Sequence, residues 1–114
     1  MKRDMRVYLQ DIKESILAVE EYTQGLTKEE FLNNSQVQDA VIRRLEIMGE
    51  AAKYISGDFK SKYPEIAWVK IAGLRDVLIH QYFGINLKRI WEVVKTDLPL
   101  LKKELIAIIE GEDD

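Results

Sequence analysis

Apolar residues recur at three- and four-residue steps along nearly the whole chain, and no stretch alternates with a period of two. That spacing puts side chains on one face of an α-helix, so the pattern admits helices and excludes a sheet. Met5, Tyr8, Leu9, Ile12, Ile16 and Val19 form the first stripe. The helix they define runs to about Gln24, and Gly25 can end it. Thr27 followed by Glu30 is a capping box that starts a short turn at KEEFL, and Asn33, Asn34 and Ser35 break that turn. Val37, Val41, Leu45, Met48, Ala52 and Ile55 give a second long helix, capped by Ser35 or its neighbour and ending near Gly57. Gly49 lies inside it, where glycine costs about 1 kcal/mol relative to alanine, and close approach of a neighbouring helix accounts for its presence.

The segment DFKSKYPEIAW reads as a connector, because Pro64 pushes the residue before it out of helical geometry. A third helix is expected from about Glu65 to Tyr82. Asn86 caps a fourth, with an apolar stripe of Leu87, Ile90, Trp91, Val94, Leu98, Leu101, Leu105 and Ile108. Pro99 lies inside that stripe and should kink or split the helix, since it cannot donate to the carbonyl of Lys95. The expected fold is all-α: an up-and-down bundle of four main helices plus short helical turns. One domain spans 1–110, and 111–114 form a frayed acidic tail.

The 114 residues hold no cysteine and one histidine, so disulfides, thiolate chemistry and a multi-histidine metal site are excluded. Neither a metal nor a cofactor is expected. No segment approaches the roughly 18 apolar residues of a membrane span, which points to a cytoplasmic protein with no membrane contact. With 17 basic and 20 acidic residues the net charge is −3, so any contact with nucleic acid must be local. Lys60, Lys62, Lys70, Lys88 and Arg89 flank the expected cleft in sequence; they can guide RNA, but a solvated surface is the favoured reading.

The histidine lies in RDVLIHQY, residues 75 to 82. On a helical wheel with Ile71 at zero, Arg75, Leu78 and Tyr82 fall within about 40°, whereas Asp76 and His80 fall near 140° and 180°. Arg75 thus sits in the apolar arc, where an unpaired guanidinium costs several kcal/mol. Glu46 and Glu50 are candidate counter-ions, and an anion-binding groove or subunit interface is the other explanation. Asp76 and His80 are an i, i+4 pair, so the aspartate can fix the imidazole tautomer. One arginine and one histidine separated by about 140° do not meet within one helix, but two copies about a two-fold axis bring two of each into one cleft. RNA transesterification needs such a set: a base, an acid and a cation for the phosphorane.

At this strip the sequence resembles the HEPN superfamily, specifically the HepT-like toxins paired with small nucleotidyltransferase (MNT) antitoxins. Their signature R-x-x-x-x-H-x-Y is matched by Arg75, His80 and Tyr82, with Asp76 as the polar residue after the arginine. The blocks YTQGLTKEEF, AVIRRLEIMGEAAKYIS and PEIAWVKIAGLRDVLIHQYFGI also look like that family. The resemblance implies a HEPN-like homodimer acting as a metal-independent ribonuclease on RNA, with Arg75, His80 and Asp76 catalytic. It also implies that Tyr82 accepts AMP from the antitoxin. Two rivals remain open on the residues alone. One is a non-catalytic nucleotide- or partner-binding module, and the other is a scaffold in which Arg75 is tied to Glu46 or Glu50.

Overall fold

The computed structural model describes the backbone of residues 3–80 and 86–113, and the side chains of 5–74, 78 and 86–112. Among these residues all regular structure is helical, which agrees with the all-α expectation. Helix α1 (Arg3–Thr23) closes where the Thr23 hydroxyl donates to the carbonyl of Val19, 2.8 Å away. Gly25 then turns the chain at φ +76°, a conformation that a β-carbon would strain. The capping box of α2 (Lys28–Leu32) is complete. Glu30 N–H donates to Thr27 Oγ1 at 3.1 Å, and Thr27 N–H donates to Glu30 Oε1 at 3.0 Å. Hydrogen bonding from the Thr27 backbone N–H first, and from the Thr27 side chain second, holds the Glu30 carboxyl below its ordinary range.

Asn34 caps α3 (Ser35–Lys53), accepting from Val37 N–H. This helix stops earlier than its apolar stripe suggests. Tyr54 forms the C-cap, and Ser56 at once caps a further short helix, α4 (Gly57–Lys62), by accepting from Phe59 N–H. The segment read as a connector therefore contains a helix, and a local serine cap decides its start. The third main helix, α5 (Trp68–His80), begins three residues later than expected, after a turn in which Trp68 N–H bonds the carbonyl of Ile66.

Asn86 caps α6 (Leu87–Glu92) through Arg89 N–H at 3.1 Å, as expected. A π-helical turn, Val93–Asp97, joins α6 to α7 (Leu98–Asp113). Leu98 N–H donates to the carbonyl of Val93, five residues back, and Pro99 falls in the first turn of α7, where a missing donor is tolerated. The proline thus divides the fourth helix through one widened turn. Helix α7 continues through Asp113, and the Glu112 carboxylate accepts from Lys62 Nζ at 2.9 Å and Tyr63 OH at 2.8 Å.

Helix α3 lies at the centre of the packing, against α1 on one side and α5 on the other, and α7 closes on α1. Ile12, Ile16, Phe31, Val41, Met48, Ala52 and Leu105 are fully buried where these elements meet. Gly49 is buried within α3. None of the described helices is long and apolar enough to cross a membrane.

Candidate functional site on helix α5

The entry to α5 is set by aromatic packing. Phe59 of α4 meets Tyr63 at 5.1 Å and Trp68 edge-on at 6.4 Å, and the Trp68 indole N–H donates to the carbonyl of Tyr63 at 3.0 Å. This cluster fixes where the helix starts and therefore which of its faces meets α3. Ile71 and Leu78 are buried, and Ala72 and Leu74 pack partly against the core. Position 75 lies between Ile71 and Leu78 on the wheel, so the backbone places it on the core-facing arc.

The opposite face is open. Val69 is 87% exposed, and a β-carbon built on Gly73 would meet nothing within 4 Å. At about 100° per residue, positions 76 and 80 continue the line from Val69 through Gly73. One helix therefore carries Arg75 on its inner arc and Asp76 and His80 on its outer face. Their side chains, and all of Tyr82, lie outside the described residues.

The two proposed counter-ions of Arg75 differ. Glu46 is 46% exposed at its side chain and lies 3.9 Å from Arg43, one turn back on α3. Glu50 is half-buried, next to the buried Gly49. Both also line a groove between α1 and α3, together with Tyr8 and Tyr54. The sequence did not single out that groove, because Tyr8 and Tyr54 are far apart along the chain and only packing joins them. A second, apolar cavity of about 220 Å³ lies between α5 and α7, with the π-turn in its wall. Of the five basic residues, Lys62 is held by Glu112 and Arg89 by Glu92 at 3.3 Å, Lys60 is half-buried, and Lys70, inside α5, and Lys88 are exposed.

The model of the family described as "Ribonuclease HepT-like" matches residues 12–108, a span that takes in α3, α5 and the motif between positions 75 and 82. The chain belongs to the HepT-like ribonuclease family. Relatives agree. A protein of Thermococcus cleftensis named "Probable ribonuclease HepT" is 50% identical over 102 residues, covering 90% of this chain and 93% of the relative. A Methanocaldococcus jannaschii protein named "Gamma-glutamylcyclotransferase and putative RNase MJ0434" is 48% identical over 113 residues and 99% of this chain. The chain spans 51% of the length of that relative, about half. No solved structure matches the chain. As a HepT-like protein it is a ribonuclease by family, and α5 is the helix that carries the signature.

Proposed function

We propose that the chain is a metal-independent endoribonuclease toxin that cuts RNA in a composite site between two copies. The observation that carries this reading is the division of α5 into two faces. By helical spacing, position 75 falls on the arc of buried Ile71 and Leu78, and position 80 on the face of exposed Val69 and open Gly73. A single α5 separates the two positions by about 140° around its axis and about 7.5 Å along it. A second copy packed along α5 about a two-fold axis is proposed to bring the two positions of each helix to one cleft, and Gly73 offers a point where the two helices approach closely.

In that cleft His80, its tautomer fixed by Asp76, takes the proton of a ribose 2′-hydroxyl. The 2′-oxygen attacks phosphorus, the bond to the 5′-oxygen breaks, and the second histidine protonates the leaving oxygen. The products are a 2′,3′-cyclic phosphate and a 5′-hydroxyl, so protons and electrons balance without water. Arg75 stabilises the charge that develops on the phosphorane oxygens. On α3, Glu50 is proposed as the counter-ion of Arg75, because Glu46 lies 3.9 Å from Arg43.

Tyr82 follows His80 by two residues and is the proposed acceptor of AMP from a nucleotidyltransferase antitoxin. An added AMP brings bulk and negative charge beside Arg75 and blocks the RNA phosphate by occlusion and repulsion. The domain is proposed to span 1–110.

The test is cleavage of a mixed RNA pool in EDTA. His80→Ala and Arg75→Ala should each lose about 100-fold or more, the scale of general acid–base and electrostatic terms. Wild type exposed to the nucleotidyltransferase and ATP should gain the mass of AMP and lose cleavage, whereas Tyr82→Phe should stay active. Cleavage unchanged in both alanine variants overturns the assignment. Nucleotide binding by a wild type that does not cleave would favour the non-catalytic module.

A further inference from the structure

The groove between α1 and α3 has a volume of about 430 Å³, within the range of roughly 300–1,000 Å³ that small-ligand sites occupy. Tyr8 and Tyr54 stack in its wall, with ring centroids 5.4 Å apart and planes 21° from parallel. Tyr54 is 57% exposed, so the ring face away from Tyr8 is open. Arg43, Glu46 and Asp11 complete the polar lining used below. Arg43 and Glu46 are 3.9 Å apart, well beyond the roughly 2.8 Å of a charge-assisted hydrogen bond, so their pairing competes weakly with a ligand.

These groups match one nucleobase better than the others. Single-stranded RNA is read by stacking its bases on aromatic rings and bonding their Watson–Crick edges. A carboxylate only accepts hydrogen bonds, so it selects an edge that donates. Guanine offers N1–H and N2–H₂ side by side, two donors for one carboxylate. Adenine and cytosine set one amino group beside a ring-nitrogen acceptor, and uracil sets its single N–H between two carbonyls. With Asp11 and Glu46 against Arg43, the groove disfavours a run of phosphates but suits one donor-rich base.

We propose that this groove is a guanine-reading subsite for the RNA substrate, a reading that rests on the ribonuclease function proposed above. The base stacks on the open face of Tyr54, Glu46 accepts from N1–H and N2–H₂, Asp11 flanks the amino group, and Arg43 meets the attached phosphate. Helix α3 also packs against α5, so one helix carries the subsite and supports the helix that bears the motif.

The experiment is an NMR titration of the full chain with GMP, AMP and UMP, following the ring resonances of Tyr8 and Tyr54, together with mapping of cut sites in a mixed RNA pool. GMP should shift both rings and bind at least fivefold more tightly than AMP or UMP. Glu46→Gln should abolish that preference, because its amide replaces one acceptor with a donor, while Tyr54→Phe keeps the stack and the binding. Guanine should be enriched at a fixed offset from the cut in wild type and not in Glu46→Gln. Equal binding of all three nucleotides, shifts confined to other residues, or occupation of the groove by a short arginine peptide in place of GMP would each overturn the subsite. GMP binding without RNA cleavage leaves guanine recognition standing and overturns the ribonuclease reading alone; cleavage with neither GMP binding nor guanine enrichment does the reverse.

Discussion

Replacing Gly73 by glutamine separates the fold of one protomer from the assembly of two. Within a protomer the substitution is favourable. Glutamine is a better helix former than glycine by about 0.5–1 kcal/mol, and a β-carbon at this position meets nothing within 4 Å. For a domain of this size that gain raises the melting temperature of the dilute protomer by about 3–5 °C. Between protomers the effect reverses. Gly73 lies on the line from Val69 to positions 76 and 80, and a long side chain there keeps a second α5 from approaching. Self-association should weaken by about tenfold or more, equivalent to about 1.4 kcal/mol, and cleavage should fall with it at protein concentrations near the dissociation constant. Sedimentation velocity, thermal melts by circular dichroism and RNA cleavage on one preparation read all three effects. A variant that sediments and cleaves like wild type refutes placing the two-fold contact on this face. A melting temperature that falls in the dilute limit refutes the open-space argument itself.

Phe31→Ala should cost about 3–5 kcal/mol, because the ring is fully buried and lies 5.2 Å from Trp91, and a urea melt should show most of the stability lost. Thr27→Ala removes one half of the capping box and should cost about 1 kcal/mol in the same assay. The Lys62–Tyr63–Glu112 clasp sets a pH window. Hydrogen bonds from Lys62 and then Tyr63 lower the Glu112 pKa, so its contribution is present above the ordinary value of 4.5 and is lost as pH falls through the lowered one. The bond that Lys62 donates to Glu112 raises the Lys62 pKa, so that contribution is present below 10.5 and is lost as pH rises through the raised one. The stability difference between wild type and Glu112→Gln should therefore be largest between about pH 5 and 10 and shrink on both sides; a difference independent of pH would show that the clasp is not ionic.

What was legible in the sequence is what short-range chemistry decides. The Thr27–Glu30 box, the Asn86 cap, the turn at Gly25 and the apolar stripes of α1, α3 and α7 each depend on residues a few positions apart, and each appears in the structure. The motif from Arg75 to Tyr82 was legible as a pattern, and the wheel alone assigned its residues to two faces. Helix α4 escaped because six residues with a serine cap carry too little periodicity to stand out from a proline-bounded connector. The widened turn before Pro99 escaped for a related reason: a proline announces a lost hydrogen bond, and the packing around it determines how the backbone adjusts.

Other features have no local cause. Tyr8 stacks on Tyr54, Lys62 reaches Glu112, and Lys102 reaches Glu20 at 3.0 Å only because whole helices pack in one arrangement. The sequence by itself determined that the chain is helical, where most helices start, and which residues form the motif, since backbone capping and side-chain periodicity act within one or two turns. The tertiary structure decided which face of α5 is buried and which stays open, and it built the groove between α1 and α3. Those outcomes depend on shape complementarity between helices that are distant in sequence, and such contacts form only once the core has closed.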